Sequence, residues 1–254
     1  MGNATQFKVT FADGRTVDAT LVGSYPPDDI AVVRVRDDGK LAPATFADSS
    51  KVEVGQIALA IGNPLGLASS VTEGIVSSTG RTVSEGGGVV LPSTIQTSAP
   101  INPGNSGGAL VGLDGSVIGI PTLAATVPEL GGAAPGIGFA IPSNRAKFIA
   151  DQLVASGTVR DSGRAALGIS AATVASRSGE PLGVLVRGVQ PGGPAEAAGI
   201  APGDIITAVN EKPTPTLDAL GTVLADLSPG DGATVTVLRP DGSKRSVRVT
   251  LGNL

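Results

Sequence analysis

Glycine and proline interrupt this chain at short intervals, with 37 Gly and 19 Pro among 254 residues. So many turn formers leave little room for long helices and favour short strands joined by tight turns. Aromatic residues make up only 2% of the chain, so its cores must be built from Val, Ile, Leu and Ala. A hydrophobic fraction of 41% against 16% charge is that of a globular chain, and the length permits one large domain or two ordinary ones. The net charge is −4 and Lys and Arg are scattered, which gives no phosphate-binding footprint and argues against a nucleic-acid partner. With no Cys there is no disulfide or thiolate chemistry, and with no His the commonest zinc ligand and commonest general base are both missing. No metal site or cofactor is expected. No apolar run reaches the length of a membrane-spanning helix. No signal peptide opens at Met1, and Gln6 stands where a myristoylation motif needs Ser or Thr, so the N-terminus reads as a cut one.

Along the first 160 residues the pattern is one of short strands. Residues 6–11 and 16–22 alternate apolar and polar around Asp13-Gly14, which predicts a hairpin. Further strands are predicted at 30–35, 56–61, 70–79, 94–97, 108–113, 116–121 and 136–141, with a break at Asn63-Pro64-Leu65-Gly66. Residues 84–91 and 124–135, dominated by Gly, Ala and Pro, read as mobile loops. One helix is predicted from Ser143, which can cap it, with an apolar stripe of Ala146, Ile149, Ala150 and Leu153 and a stop at Gly157. A polar link at 158–165 leads to a second β-rich unit with a short helix at 194–198 and another at 217–227 capped by Thr216.

The sequence Ile101-Asn102-Pro103-Gly104-Asn105-Ser106-Gly107-Gly108 has two readings: a plain turn, or a nucleophile held among glycines that let a carbonyl approach converging N–H groups. The motif alone leaves both open. Gly104-Asn105-Ser106-Gly107-Gly108 resembles the nucleophile loop of chymotrypsin-fold serine proteases, and specifically of the HtrA family. Asp28-Asp29-Ile30-Ala31-Val32-Val33 is similar to that family's acid segment. Residues 60–66, Gln96-Thr97 and 136–142 match its other signatures in the same order. The resemblance implies a mostly β, chymotrypsin-like double barrel with Ser106 as nucleophile, Asp29 rather than Asp28 orienting the base, and the N–H groups of Gly104 and Ser106 as the oxyanion hole. It also implies a histidine before the acid. Only 28 residues precede Asp29 and none is His, so the first barrel is expected to be incomplete, with four of its six strands, and the histidine to lie upstream. Asn105 stands where digestive proteases carry the Asp that pairs with a freed N-terminus, so activation by such processing is not expected; the family switches by ordering loops. A pocket near Ile101 and Ile120-Pro121-Thr122, free of charge, implies a small aliphatic residue before the scissile bond.

In the second unit, Ala166-Leu167-Gly168-Ile169 resembles the carboxylate-binding loop of HtrA-type PDZ domains, and residues 183–210 extend the match. Leu167, Gly168 and Ile169 are therefore the expected peptide-binding residues, with loop N–H groups taking a terminal carboxylate and the next strand pairing with the peptide. Whether the groove takes C-terminal or internal segments stays open. The implied organisation is a protease domain over 1–160 and a PDZ domain over 161–254. The implied function is ATP-independent endoproteolysis of unfolded or peptide substrates in protein quality control, outside the cytoplasm in the cell envelope, with anchoring through an upstream segment and a homotrimer in the longer protein. The competing function is that of a non-enzymatic peptide-binding protein.

Overall fold

The computed structural model describes residues 4, 6–36, 41–63, 70–86, 89–102, 104–127, 132–176 and 179–254. The chain divides into two compact units, Met1–Arg81 with Ser93–Arg160, and Thr82–Pro92 with Asp161–Leu254. The first begins with a three-stranded antiparallel sheet of β1 (Phe7–Thr10), β2 (Thr16–Tyr25) and β3 (Ile30–Val35). Its hairpin is the predicted one, with Val9 opposite Val17 and Thr10 opposite Thr16. Six further strands close into a barrel: β4 (Ile57–Gly62), β5 (Ser70–Gly86), β6 (Val89–Thr97), β7 (Ala109–Val111), β8 (Val117–Val127) and β9 (Gly132–Pro142), in the order β4-β5-β6-β9-β8-β7. The strand predicted at 56–61 thus belongs to the closed barrel, and the open sheet has three strands where four are predicted, because the Ile57-Ala58-Leu59-Ala60 alternation finds both its partners in β5 and β7. Ala58, Ala60, Val76, Ile95, Leu110 and Ile118 fill the barrel, as expected of an interior without large aromatics.

The stretches predicted as mobile loops are mostly strand. β5 runs to Gly86 and β6 resumes at Val89, and β8 and β9 stay paired out to Val127 and Gly132. Small residues weaken the period-2 signal without preventing backbone pairing. The centres of these loops, 87–88 and 128–131, and the predicted turn residues 64–66 lie outside the described residues.

Helix α1 (Ser143–Ser156) packs Ala146, Ile149 and Leu153 against Tyr25 and Ile30 of the open sheet. Its start differs from the sequence expectation. Ser143 lies inside the helix and donates its hydroxyl to the Ala47 carbonyl at 2.7 Å. The Asn144 N–H is instead capped by Ser49 Oγ at 3.1 Å, from a short 3-10 turn at Ser49–Lys51. Gly157 ends the helix as predicted, with φ +74° and its N–H on the Leu153 carbonyl.

The second unit contains β10 (Ala165–Ala166), β11 (Ile169–Ala175), β12 (Pro181–Val189), α2 (Pro194–Ala197), β13 (Ile205–Val209), β14 (Lys212–Pro213), α3 (Leu217–Ala225), β15 (Gly232–Leu238), β16 (Lys244–Thr250) and β17 (Gly252–Asn253). The main sheet runs β11-β12-β13-β15-β16, with β11 at one edge, and β10 pairs with β17. Val184, Ile206, Val209, Val235 and Val249 are fully buried in its core. Thr216 caps α3 as the sequence predicts, its hydroxyl accepting the Ala219 N–H at 3.1 Å.

Candidate active site and peptide groove

The loop between β6 and β7 carries Ser106, and two neighbouring strands hold it. On the β4 side, a Cβ added at Gly108 would stand 2.1 Å from the Ile61 carbonyl oxygen, and one added at Gly62 would stand 2.6 Å from Asn105 Cα. Only glycine permits that approach, which gives a physical reason for glycine at both positions. The Asn63 N–H adds a bond to the Gly104 carbonyl at 3.3 Å. On the β8 side, the Gly107 N–H reaches the Pro121 carbonyl at 2.8 Å. Asn105 is 1% exposed and donates its side-chain amide to the Pro100 carbonyl at 3.3 Å. Its own N–H goes to the Asn102 carbonyl, and that of Gly108 to the Asn105 carbonyl, both at 2.9 Å. Among the described residues, no acceptor takes the N–H groups of Gly104 and Ser106.

Asp29 comes to this loop from the open sheet. The 3-10 turn Pro26–Asp28 ends with Asp29 in the left-handed region, φ +52°, its N–H bonded to the Pro26 carbonyl at 3.0 Å. Left-handed backbone costs a non-glycine residue roughly 1 kcal/mol, and Asp is among the residues that tolerate it. The turn aims the carboxylate at β8, where Thr122 Oγ1 donates to Asp29 Oδ2 at 2.7 Å. The carbonyl of the same Thr122 accepts the Ser106 hydroxyl at 2.5 Å. Acid and serine therefore meet on one residue. Thr122 is expected from sequence only as a pocket wall, and nothing in its local pattern reveals a partner 93 positions away.

Asp28 points the other way. It is 2% exposed and paired with Arg145 of α1, whose guanidinium also lies 5.7 Å from the centre of the Phe148 ring. Asp29 and Ser106 share the wall of an open cleft of about 1000 Å³, whose other sides include Leu21, Phe46, Ile120 and Pro121. Ile101 is part of the barrel core, where its Cγ1 would lie 2.4 Å from a Cβ at Gly138. Among the described residues, no group of three or more His, Cys, Asp or Glu side chains could hold a metal ion.

In the second unit, Leu167 is buried and Gly168 takes φ +67°, which a glycine adopts without strain. The Leu167 carbonyl accepts the Ala195 N–H at 3.0 Å and the Gly168 carbonyl accepts the Gln190 N–H at 2.8 Å. Both loop carbonyls are thereby tied to α2 and the turn before it. β11 follows with its outer edge unpaired in the sheet order, and α3 lies beside it. Ile169 and Ala171 of β11 and Leu217 and Leu224 of α3 are partly buried against the same apolar core.

A trypsin-like peptidase domain profile matches residues 2–120 and a PDZ domain profile matches residues 165–251. The solved structure of the HtrA-type protease AlgW with a decapeptide is 36% identical, with a TM-score of 0.63, covering 100% of this chain and 77% of that one. The chain belongs to the HtrA family of serine proteases. Among named relatives, the serine protease PepD of Mycobacterium tuberculosis is 42% identical over 96% of this chain and 53% of its own length. The periplasmic pH-dependent serine endoprotease DegQ of Escherichia coli is 40% identical over 99% of this chain and 54% of its own. The chain thus spans about half the length of these relatives. Family membership carries a mostly β, chymotrypsin-like fold with a PDZ domain, and the family's chemistry is that of serine endopeptidases.

Proposed function

We propose that residues 1–160 hold the acid and the nucleophile of an ATP-independent HtrA-type endopeptidase acting on unfolded or peptide substrates, and that residues 161–254 recruit or regulate through the PDZ groove. The observation that carries this is the convergence of Ser106 and Asp29 on Thr122 at the edge of one cleft. In this reading Ser106 Oγ attacks the substrate carbonyl while a base takes its proton, and Asp29 stabilises the cation formed on that base. The N–H groups of Gly104 and Ser106 receive the developing oxyanion. The base is a histidine, and none of these 254 residues is one. The Ser106 hydroxyl donates to a carbonyl, which cannot accept its proton. The proposal places the working protein in the cell envelope, in keeping with periplasmic relatives such as DegQ.

This 254-residue chain should leave casein intact, since loss of a triad member costs roughly four orders of magnitude or more. Cleavage that Ser106→Ala abolishes would overturn the missing-base account. The absence of histidine also favours a second reading, a peptide-binding protein without catalysis. The coding sequence just before Asn3 separates the two: a strand ending in Thr-x-x-His supports the peptidase, and a gene that opens at Met1 supports the binding protein.

A further inference from the structure

The loop expected to take a peptide carboxylate is fixed from two sides. On the first, the Leu167 and Gly168 carbonyls are held by the Ala195 and Gln190 N–H groups. Peptide planes are trans, so the N–H groups of Gly168 and Ile169 are turned away from Ala195 and Gln190, free to meet a ligand. The second side is β10, which runs directly into the loop. It is two residues long and pairs with β17, Ala165 opposite Asn253 and Ala166 opposite Gly252. So short a ladder has little stability of its own. The side chain of Asn253 adds what the ladder lacks. Its Oδ1 accepts the Ser162 N–H at 2.9 Å, across 91 positions of sequence, and also the Ser162 hydroxyl. Its Nδ2 donates to Asp161 Oδ1 at 2.8 Å, the same oxygen that takes the Gly163 N–H at 2.9 Å.

From there the bonds continue toward β10. Ser162 is fully buried, and its Oγ accepts the Arg164 N–H at 3.0 Å. The Arg164 carbonyl in turn accepts the Leu254 N–H at 2.9 Å. One carboxamide thus fastens the whole of residues 161–164 to the strand that β10 pairs with. The loop feels that strand by a second route, through the ring of Pro194. A Cβ added at Gly252 of β17 would stand 2.8 Å from Pro194 Cγ, and one added at Gly168 would stand 3.2 Å from Pro194 Cδ. A shift of β17 therefore presses on the proline that lies against Gly168. We propose that Asn253 is a positioning residue for the carboxylate-binding loop: by tying residues 161–164 to β17 it sets β10, and with it the direction of the Gly168 and Ile169 N–H groups. The inference rests on terminal-carboxylate recognition by that loop.

The test titrates the whole chain and its variants with one hexapeptide ending in Val, as free acid and as amide, by fluorescence anisotropy. The wild-type chain should bind the acid at least about tenfold more tightly than the amide, the scale of charge-assisted hydrogen bonds. Asn253→Ala should reduce that ratio to about threefold or less, whereas a loss of stability alone weakens acid and amide alike. Asn253→Asp keeps the shape but sets a second carboxylate against Asp161, and it should lower the ratio as far. Adding Asp161→Asn to Asn253→Asp returns a donor to the pair from the opposite side and should restore the wild-type ratio to within about twofold. A ratio unchanged in Asn253→Ala, or a double variant no better than Asn253→Asp, overturns the inference and leaves carboxylate recognition standing. Equal binding of acid and amide by the wild-type chain removes carboxylate recognition itself, and the inference falls with it.

Discussion

Asp28 and Asp29 are adjacent in the chain and face opposite environments, one paired with Arg145 in the interior and the other bonded to Thr122 at the cleft. Arg145→Ala should destabilise the protein by about 2 kcal/mol. That is less than the 3–5 kcal/mol of a fully buried pair, because the Arg145 side chain is 23% exposed and partly screened. Urea unfolding should recover part of the loss in Arg145→Lys; equal stability of Arg145→Ala and wild type would refute the assignment. The two aspartates show where sequence reasoning succeeds and where it stops. The acid segment as a motif is legible, as is Ser106 among its glycines. The resemblance picks Asp29 over Asp28, but the partner that holds Asp28 away from the cleft, Arg145 of α1, lies more than a hundred positions downstream and has no local mark. Thr122 escapes for the same reason, since a threonine in a strand has no local mark of the partners it meets across the cleft.

Among the elements, α1 depends most on a neighbour for its start. Asn144 Nδ2 donates to Asp48 Oδ1 at 2.8 Å, and the Ser50 N–H donates to the same oxygen at 3.1 Å. With the Ser50 hydroxyl, which donates to that oxygen at 2.7 Å, these bonds hold the Asp48 carboxyl down from 3.8 to about 2, Asn144 foremost, the Ser50 hydroxyl next and its N–H after that. A carboxyl depressed on folding contributes stability above its ordinary pKa and loses it as the pH falls through the folded value. Hydrogen exchange in the first turn of α1 should therefore quicken between about pH 4 and pH 2, and Asp48→Ala should flatten that response; a flat wild-type profile would count against it. The alternating strands, the Thr216 cap of α3 and the Gly157 stop are all readable locally. The start of α1 is not, because Ser143 has the right chemistry for a cap but is drawn to the Ala47 carbonyl. Nor are the long arms of β8 and β9, whose Ala- and Gly-rich pairing is a backbone event with little side-chain signature.

At the scale of the molecule, the order of the two kinds of unit is legible from motifs, but the partition of strands is not, because alternation identifies a strand without naming its neighbours. The open sheet contrasts with the closed barrel. β1 has no buried residue and ends its sheet, whereas β13 buries Ile206 and Val209 inside a five-strand row. An uncovered edge exchanges readily. Amides of β1 should exchange much faster than those of β13, and equally high protection in a monomer would contradict this. The barrel, in turn, has a consequence for how the protein is made. β4 closes on β7, and β6 closes on β9, so the ring stays open until residues 132–142 have been synthesised. A chain emerging from the ribosome N-terminus first completes the acid turn early, the serine loop next and β9 last. The Pro121 and Thr122 carbonyls that fix that loop sit on β8, whose outer partner β9 arrives last. Translation thus holds a timer over the nucleophile: the serine is made before the strands that aim it, and a nascent chain stalled short of β9 carries a serine loop whose anchoring strand lacks its outer partner.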